Sequence, residues 1–333
     1  MGASLMKAVV ISRFGGPEVL ELREVARPVV QRGEIRVRVR ATGVNRADLL
    51  QRAGAYPAPP GAPKDIPGLE FAGEVDAVGE DVTEVEVGAR VMGLCGGGSY
   101  AEAVVVPARA VARIPAGLSF TEAAAVPEAF ITAWDALVDR AALAAGETVL
   151  IPAVGSGVGL AGLQIAAAIG ARAIGTARTA DKLDRARAFG LADGDDIVVT
   201  HGGFAPEVLQ ATGGRGVDVV LELVGGDYVA EDLACLAEKG RIVLVGLMAG
   251  HRAEIDLGQL LRKRAQLTGT MLRSRPVEEK IAAVQKLVRH IVPLLARGSL
   301  KPVVDRTFPL ASAGEAHAHM ASNGSFGKIV LTV

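Results

Sequence analysis

The sequence predicts an α/β protein in which a doubly wound parallel sheet is inserted into a mainly β domain that forms a partly closed barrel. Two observations carry this prediction. The first 126 residues read as short β segments separated by Gly and Pro clusters. From Pro127 onward, apolar strands alternate with helical segments, a pattern typical of a parallel sheet covered by helices on both faces. Because the second pattern starts far from the N-terminus, the α/β domain lies inside the chain.

Short apolar or alternating segments mark the strands of the first domain. They are Lys7–Ile11, Val19–Glu24, Ile35–Ala41, Phe71–Val78, Arg90–Leu94, Ala101–Val106 and Val111–Arg113. The proline-rich stretch Gly54–Pro67 interrupts them, and we expect it to be a surface loop.

The second domain alternates regularly between strand and helix. Its predicted strands are Thr148–Ala153, Arg172–Ala177, Ile197–Thr200, Val217–Val224, Arg241–Gly246 and Leu267–Met271. Its predicted helices are Leu160–Ile169, Asp181–Phe189, Pro206–Ala211, Val229–Leu236 and Leu257–Arg264, with Gly170 and Gly190 as helix C-caps. A long amphipathic helix, Glu278–Arg297, and a last strand, Lys328–Val333, follow, and the strand should return to the first domain. We therefore assign residues 1–127 and 269–333 to the mainly β domain and residues 128–268 to the α/β domain.

Composition excludes several classes of protein. The chain has 333 residues, a net charge of −1 and 50% hydrophobic residues, so it has no basic surplus for nucleic acid. No signal peptide and no membrane-spanning apolar run are visible, which predicts a cytoplasmic protein. Two distant cysteines suit a reducing compartment. Cys95 is either a reactive thiol or a small loop residue, and Cys235 should pack inside a helix.

The turn between Thr148–Ala153 and the following helix is rich in glycine. A strand, a turn of small residues and a helix N-terminus together form the opening of a dinucleotide-binding unit. Gly157 would approach the pyrophosphate, Gly159 would allow close helix packing, and the Ser156 hydroxyl would donate to a phosphate oxygen.

The end of the second strand indicates which nucleotide binds. An NAD site places Asp or Glu there to accept from the ribose 2′-hydroxyl, whereas this strand ends at Ala177 and is followed by Arg178 and Lys182. Two cations without a carboxylate favour a 2′-phosphate, and thus NADPH. The alternative is that both cations are solvated charges.

Metal and nucleophile chemistry find little support in the sequence. No CxxC motif is present, the five histidines are scattered, and His317 and His319 fall on a predicted helix, where surface or capping roles are expected. No nucleophile–base pair and no paired carboxylates stand out. Direct hydride transfer, which relies on positioning and exclusion of water, is the reaction that fits best.

Several motifs together carry a resemblance to a known family. They are Ala-Thr-Gly-Val-Asn-Arg-Ala-Asp at 41–48, Pro-Gly-Leu-Glu-Phe-Ala-Gly at 67–73, Pro-Glu-Ala-Phe-Ile-Thr-Ala at 127–133, the turn at 153–159, Gly-Leu-Met-Ala-Gly at 246–250, Leu-Arg-Ser-Arg at 272–275 and Gly-x-x-Gly-Lys-Ile-Val at 324–330. Over essentially the whole chain, the sequence resembles the zinc-free quinone oxidoreductase branch of the medium-chain dehydrogenase/reductase superfamily, closest to the tumour-suppressor-inducible type.

The resemblance implies a GroES-like first domain, a Rossmann second domain and a set of site residues. Asn45 and Tyr56 would line the quinone site, and Thr132 would hydrogen-bond near the nicotinamide. The predicted cofactor contacts are Ser156, Gly157, Val158 and Gly159 at the pyrophosphate, Arg178 and Lys182 at the 2′-phosphate, and Val224, Gly246, Leu247, Met248 and Leu272 as walls. Simpler roles stay open: Asn45 capping a helix that starts at Arg46, Tyr56 as an ordinary loop aromatic, Thr132 bonding its own helix, and Val224 and Leu272 in the core.

Zinc-dependent relatives have Cys where this chain has Asn45, His where it has Leu69, and their third ligand where it has Glu128. The resemblance therefore implies a zinc-independent, NADPH-dependent quinone reductase that binds a small quinone or enone. An NADPH-dependent enal or enone reductase and a non-catalytic NADPH-binding protein are the alternatives. The apolar strand Leu267–Met271 should form a sheet edge that pairs two copies into a homodimer, unless the helix Glu278–Arg297 covers it.

Overall fold

A computed structural model of the chain describes residues 4–199 and 203–333. The chain divides into two compact units, one formed by Met1–Ile131 with Leu272–Val333 and the other by Thr132–Met271. The sequence predicts domain boundaries at 127/128 and 268/269, and the boundaries between the two compact units lie at 131/132 and 271/272. Which unit binds substrate and which binds nucleotide stays a prediction.

The strands are numbered in chain order. They are β1 Leu5–Ile11, β2 Leu20–Ala26, β3 Glu34–Val44, β4 Glu70–Val78, β5 Arg90–Leu94, β6 Ala103–Pro107, β7 Val111–Arg113, β8 Thr148–Ile151, β9 Arg172–Ala177, β10 Asp196–Val198, β11 Val217–Glu222, β12 Leu236–Leu244, β13 Gln266–Gly269, β14 Val304–Pro309 and β15 Lys328–Thr332. The predicted third strand of the second domain ended at Thr200, which lies outside the described residues, as does His201.

The helices are numbered in the same way. They are α1 Arg46–Arg52, α2 Phe120–Ala123, α3 Pro127–Trp134, α4 Gly157–Ile169, α5 Ala180–Ala186, α6 Ala205–Ala211, α7 Tyr228–Cys235, α8 Leu257–Lys263, α9 Val277–Lys286, α10 Val292–Ala296 and α11 Ala313–Ala321. Within the described ranges, no helix is both long enough and apolar enough to cross a membrane.

The first unit is built on β structure. β1 and β2 form an antiparallel pair, and the larger sheet runs β14-β15-β3-β4-β5-β7, with β6 also paired to β3. Ile35, Val37 and Val39 of β3 are buried at 0–2% exposure, because alternate residues of a strand face one side of the sheet. The sheet that was predicted to form a partly closed barrel is an open one, with β14 and β7 at its two ends. The last strand, β15, does return to this unit, where it pairs with β3.

The second unit is a parallel sheet of order β10-β9-β8-β11-β12-β13, as the sequence predicts. Its inner strands β8, β9 and β11 are buried on both faces, which is the reason they read as continuous hydrophobic runs. Gly170 and Gly190 adopt left-handed conformations at φ 87° and 110°, confirming them as helix ends. Cys235 is buried within α7, as expected.

Two predictions for the C-terminal region need correction. The expected helix Glu278–Arg297 is divided into α9, a π-helical stretch at Leu287–Ile291, and α10. Pro293 lacks an N–H group and cannot complete the regular hydrogen-bond ladder, which explains the irregular turn before it. The sequence analysis also missed β14, which pairs in parallel with β15. Within its own unit, α9 packs against β5 and β7.

Candidate active site

In the second unit, the predicted cofactor residues follow the carboxyl ends of parallel strands. Ser156–Gly159 come after β8, Arg178 after β9, Val224 after β11 and Gly246–Met248 after β12. These ends meet at one edge of the sheet, and the chain reverses its winding direction between the neighbouring strands β8 and β11. Such a switch point is where open parallel sheets bind their ligands.

The turn after β8 is shaped to admit a phosphate. Ser156 is the N-cap residue of α4, and its Oγ accepts a hydrogen bond from the Gly159 N–H at 3.1 Å. A Cβ atom on Gly159 would lie 2.6 Å from the Val154 carbonyl oxygen, so only glycine fits at this position. Gly157 and Val158 begin the helix, where N–H groups have no partner inside the helix and attract anions. These features fit a dinucleotide pyrophosphate.

The end of β9 provides the two predicted cations. Arg178 is exposed, and Lys182 is half-buried on α5 one turn further on. Tyr228, at the start of α7, is a neighbour that sequence reasoning missed. Burial raises the pKa of the Tyr228 phenol, and the nearby charge of Arg178 opposes that rise. The Tyr228 ring also packs against Phe204, with 5.1 Å between the ring centroids.

Two loops at this edge of the sheet are tied together. The Ala249 N–H donates to the Val224 carbonyl oxygen at 2.8 Å, and a Cβ atom on Gly246 would lie 2.2 Å from the Leu223 carbonyl oxygen. Leu247 and Met248 are 53% and 50% exposed, an apolar surface suited to a nucleotide ring. Leu272 belongs to the first unit and is buried.

A buried carboxyl pair lies beneath the loop after β11. Glu222 Oε1 accepts from the N–H groups of Val224 and Gly225, whereas Glu222 Oε2 and both Asp232 oxygens have no hydrogen-bond donor among the described residues. Burial raises the pKa of both groups, and the charge of Glu222 raises that of Asp232 further.

The first unit contains a second cluster around Glu70, which is fully buried at the start of β4. Its Oε1 accepts from the Asn45 side-chain amide at 2.9 Å and from the Lys328 ammonium group at 2.6 Å. Its Oε2 accepts from the backbone N–H of Glu128 at 2.8 Å. The expectation that the chain lacks paired carboxylates is wrong for the second unit, where Glu222 and Asp232 interact across the turn between β11 and α7.

Asn45 both caps a helix and takes part in this cluster. It precedes α1, and the Asp48 carboxylate accepts from its backbone N–H at 2.8 Å. Its side-chain oxygen accepts from Lys328 at 2.5 Å, while its amide nitrogen donates to Glu70. The alternative role as a helix cap is present, and the amide has a second role in orienting Glu70 and Lys328.

Glu128, whose backbone N–H bonds Glu70, has a carboxyl group with a raised pKa. Its side chain is half-buried at the start of α3. Burial, followed by the negative charge of Glu70, raises the pKa of the Glu128 carboxyl to about 8. Glu128 therefore carries a proton near neutral pH. Thr132, buried on the same helix, lies four residues further along and thus on the same helix face.

A buried chain of polar groups adjoins this cluster. The Tyr100 hydroxyl donates to Asp48 Oδ2 at 3.2 Å and lies 3.1 Å from His317 Nε2. Because that hydroxyl has a single proton, His317 must donate from Nε2. Burial lowers the pKa of His317 to about 3 and raises that of Asp48 to about 6. The expected surface or capping role is wrong for His317, which is fully buried, whereas His319 bonds Asp305 at 2.7 Å.

Tyr56 is positioned by a residue that sequence reasoning did not single out. Arg273 is buried, donates to the Tyr56 carbonyl oxygen at 3.2 Å, and places its guanidinium 5.1 Å from the centre of the Tyr56 ring. It also bonds Gln51 at 2.5 Å and the Gly96 carbonyl oxygen at 3.0 Å. Arg273 thus anchors the proline-rich loop through a hydrogen bond, and its guanidinium packs against one face of the Tyr56 ring.

Cys95 is a free cysteine in the same region. Burial raises its pKa to about 12, and its Sγ donates to the Gly68 carbonyl oxygen at 3.4 Å. Since the nucleophilic form of cysteine is the thiolate, this side chain is a packing residue and not a reactive one.

The zinc positions of the family hold side chains with other functions here. Asn45 is bonded to Glu70 and Lys328, and Leu69 is 1% exposed in the core. No three His, Cys, Asp or Glu side chains in residues 4–199 and 203–333 are grouped to hold a metal ion. This donor set does not fit zinc.

Comparison with known proteins identifies the family. Residues 31–116 match the alcohol dehydrogenase GroES-like domain family, and residues 194–331 match the zinc-binding dehydrogenase family. The chain is 33% identical to the quinone oxidoreductase of Lama guanicoe, with 99% of this chain and 98% of the relative covered. It is 35% identical to that of Pseudomonas aeruginosa, with 98% and 99% covered. A segment of the polyketide synthase GfsB of Streptomyces halstedii is 39% identical, covering 91% of this chain and 5% of the synthase.

Solved structures agree with these relatives. The quinone oxidoreductase of Escherichia coli, solved in complex with NADPH, is 31% identical with a TM-score of 0.87, covering 98% of this chain and all of that chain. An NAD-dependent alcohol dehydrogenase is 34% identical, also with a TM-score of 0.87, and covers the same shares.

The fold and these relatives define an oxidoreductase that uses a pyridine nucleotide. The chain belongs to the medium-chain dehydrogenase/reductase superfamily. The predicted fold class and superfamily are thereby confirmed.

Proposed function

We propose that this protein is an NADPH-dependent, zinc-independent reductase of quinones. The observation that carries the proposal is the hydrogen-bonded set of Asn45, Glu70 and Lys328 at the position where zinc-dependent relatives bind their metal. An alcohol dehydrogenase needs a metal ion to stabilise the alkoxide. A reduced quinone delocalises its negative charge, so its formation does not require one.

The preference for NADPH is supported by Ala177, Arg178 and Lys182 at the end of β9. When bound, NADPH supplies a hydride from its nicotinamide ring. The first turn of α4 would hold the pyrophosphate, and Leu247 and Met248 would cover apolar ring surface. Thr132 would offer its hydroxyl to the nicotinamide.

The Tyr56 loop supports a flat acceptor. One face of the Tyr56 ring is occupied by Arg273, and burial raises the pKa of the phenol, so the ring stays neutral. A neutral aromatic ring held in place offers a stacking surface for a quinone. The proposed role of Tyr56 is therefore to position the substrate.

Steady-state oxidation of NADPH and NADH with several acceptors tests the proposal. We expect turnover with NADPH and 9,10-phenanthrenequinone, and none when NADP⁺ is offered with simple primary alcohols. Faster turnover with an enone or enal than with any quinone would favour an alkene reductase, the second candidate. Binding of NADPH without any turnover would identify a non-catalytic nucleotide-binding protein. Stoichiometric zinc in protein purified without added metal would overturn zinc independence.

A further inference from the structure

Arg273 is a buried cation beside the proline-rich loop, and all of its partners are neutral. Its side chain is 4% exposed. Its guanidinium donates to the carbonyl oxygens of Gly96 at 3.0 Å and Tyr56 at 3.2 Å, and to Gln51 Oε1 at 2.5 Å. A guanidinium group has five N–H donors, so these three bonds leave two of them available. The positive charge of Arg273 is therefore bonded in place without being neutralised.

A second cation, Lys280 on α9, lies next to Arg273. Its ammonium group donates to the Arg273 carbonyl oxygen at 3.2 Å, which uses one of its three N–H groups. Gly96 is adjacent to both Lys280 and the proline-rich loop, because a Cβ atom there would lie 2.9 Å from Pro59 Cγ and 3.7 Å from Lys280 Nζ. Lys280 is half-buried, and burial lowers the pKa of its ammonium group. Two cations thus border the loop that carries Tyr56.

The acidic side chains of this region leave the two cations without a direct counter-charge. Within the described part of the chain, neither cation forms an ion pair with an Asp or Glu side chain. Glu278, at the start of α9, pairs with Arg109 instead. Asp48 and Glu128 act on the cations through charge alone, and the Asp48 oxygens accept from two backbone N–H groups and the Tyr100 hydroxyl. Since desolvated charges are costly when unpaired, this arrangement favours an anion supplied by a ligand.

We propose that Lys280 is a specificity-determining residue that binds a carboxylate substituent on the acceptor, and that Arg273 is its positioning residue. The acceptor ring would stack on the face of the Tyr56 ring opposite Arg273. The carboxylate oxygens would accept from the remaining N–H groups of Lys280, and such charge-assisted hydrogen bonds are stronger than neutral ones. Arg273 fixes the loop, accepts from Lys280 and adds its own positive charge. The preferred substrates are then quinones that carry an acidic group.

A kinetic test compares two acceptors that share the reacting ring and differ in charge. They are 9,10-phenanthrenequinone-2-carboxylate and its methyl ester, used with NADPH and the full-length enzyme. This test rests on the proposed quinone reductase function. The wild type should have the higher kcat/KM for the carboxylate. Lys280→Met removes the charge and keeps the apolar stem, so it should lower the carboxylate-to-ester ratio of kcat/KM by about 10- to 100-fold, the range for loss of a hydrogen bond to a charged group.

Two further variants separate charge from packing. Lys280→Arg retains a cation and should keep most of the preference for the carboxylate. Lys286→Met, at the exposed end of the same helix, should match the wild type. The loss in Lys280→Met should appear in KM for the carboxylate, because a substituent remote from the reacting atoms is bound alike before and during hydride transfer. An equal loss for both acceptors would indicate a structural role only and would overturn the proposal.

Equilibrium binding provides a readout that needs no turnover. Isothermal titration of the full-length protein with 2-naphthoate and with methyl 2-naphthoate should show tighter binding of the carboxylate to the wild type. Lys280→Met should remove this difference. If the wild type reduces no quinone and yet shows the difference, the proposed function fails and the carboxylate site stands. If the wild type reduces quinones and Lys280→Met changes neither the kinetic ratio nor the binding difference, the carboxylate site fails and the quinone reductase function stands.

Discussion

Glu70 accepts a hydrogen bond from the backbone N–H of Glu128 at 2.8 Å, which ties the first residue of β4 to the first turn of α3. The contact requires β3 to pass very close to Glu70. A Cβ atom on Gly43 would lie 2.2 Å from Glu70 Oε1, so glycine is needed there for steric reasons. The glycine in the Ala-Thr-Gly-Val-Asn motif thus makes room for the carboxylate that organises Asn45, Lys328 and Glu128.

Tyr56 should act through its ring and not through its hydroxyl. Tyr56→Phe keeps the face that Arg273 supports, so we expect kcat to change little. Tyr56→Ala removes the stacking surface, which is worth about 0.5–1.5 kcal/mol for aromatic pairs, and should raise the apparent KM for the quinone several-fold. Steady-state kinetics of both variants measure this. A loss of about 100-fold in kcat for Tyr56→Phe would instead make Tyr56 the proton donor.

Arg178 should discriminate NADPH from NADH. A charge-assisted hydrogen bond to a phosphate contributes about 1.5–3 kcal/mol, so Arg178→Ala should weaken NADPH binding by roughly ten- to a hundredfold. Binding of NADH, which lacks the 2′-phosphate, should change little. Fluorescence titration of both cofactors provides the comparison, with Arg185→Ala on α5, the helix that follows Arg178, as the control. Equal affinity of the wild type for the two cofactors would contradict the assignment.

Local patterns were sufficient to predict much of the fold. Arg90–Leu94, Val111–Arg113 and Arg172–Ala177 occupy the strands predicted from sequence, because their apolar runs are bounded by clear turn signals. β14 was missed since its sequence, Val-Asp-Arg-Thr-Phe-Pro, carries two charges and a proline and gains its strand conformation only by pairing with β15.

The candidate active site was less accessible to sequence reasoning. Glu70 and Arg273 both stand inside motifs that signalled the family, but the motifs do not say that one is a buried anion and the other supports Tyr56. Glu128 was noted only as a lost ligand position. Its protonation depends on a charge placed 58 residues earlier in the chain, and such long-range electrostatics are created by folding.

The exposed strand β13 should join two copies of the chain. It is the last strand of the parallel sheet, and Leu267 is 42% exposed on it. Leu257 and Leu261, one turn apart on α8, are 64% and 77% exposed. An uncovered edge with apolar neighbours favours pairing with a second copy.

Light scattering should give a dimer mass for the wild type and a monomer mass for Leu267→Lys. The control variant Val87→Lys, which changes an exposed residue in the first unit, should give a dimer mass. A monomeric wild type at micromolar concentration would refute the dimer.

The buried pair Glu222 and Asp232 should make stability depend on pH. Burial raises the pKa of both carboxyl groups in the folded state, so folding favours their protonated form. The contribution of the pair to stability is therefore complete below the ordinary carboxyl pKa of about 4 and is lost as pH rises through the raised values. In Asp232→Asn, the neutral amide can donate to Glu222 without a titrating proton. We expect its free energy of unfolding at about pH 9 to exceed that of the wild type by about 1–3 kcal/mol, the cost of an unpaired buried polar group, with little gain at about pH 5.

Urea unfolding at both pH values measures this, and Asp227→Asn, on the exposed surface beside α7, is the control. Parallel pH dependence in the wild type and Asp232→Asn would mean that the pair shares no proton at neutral pH.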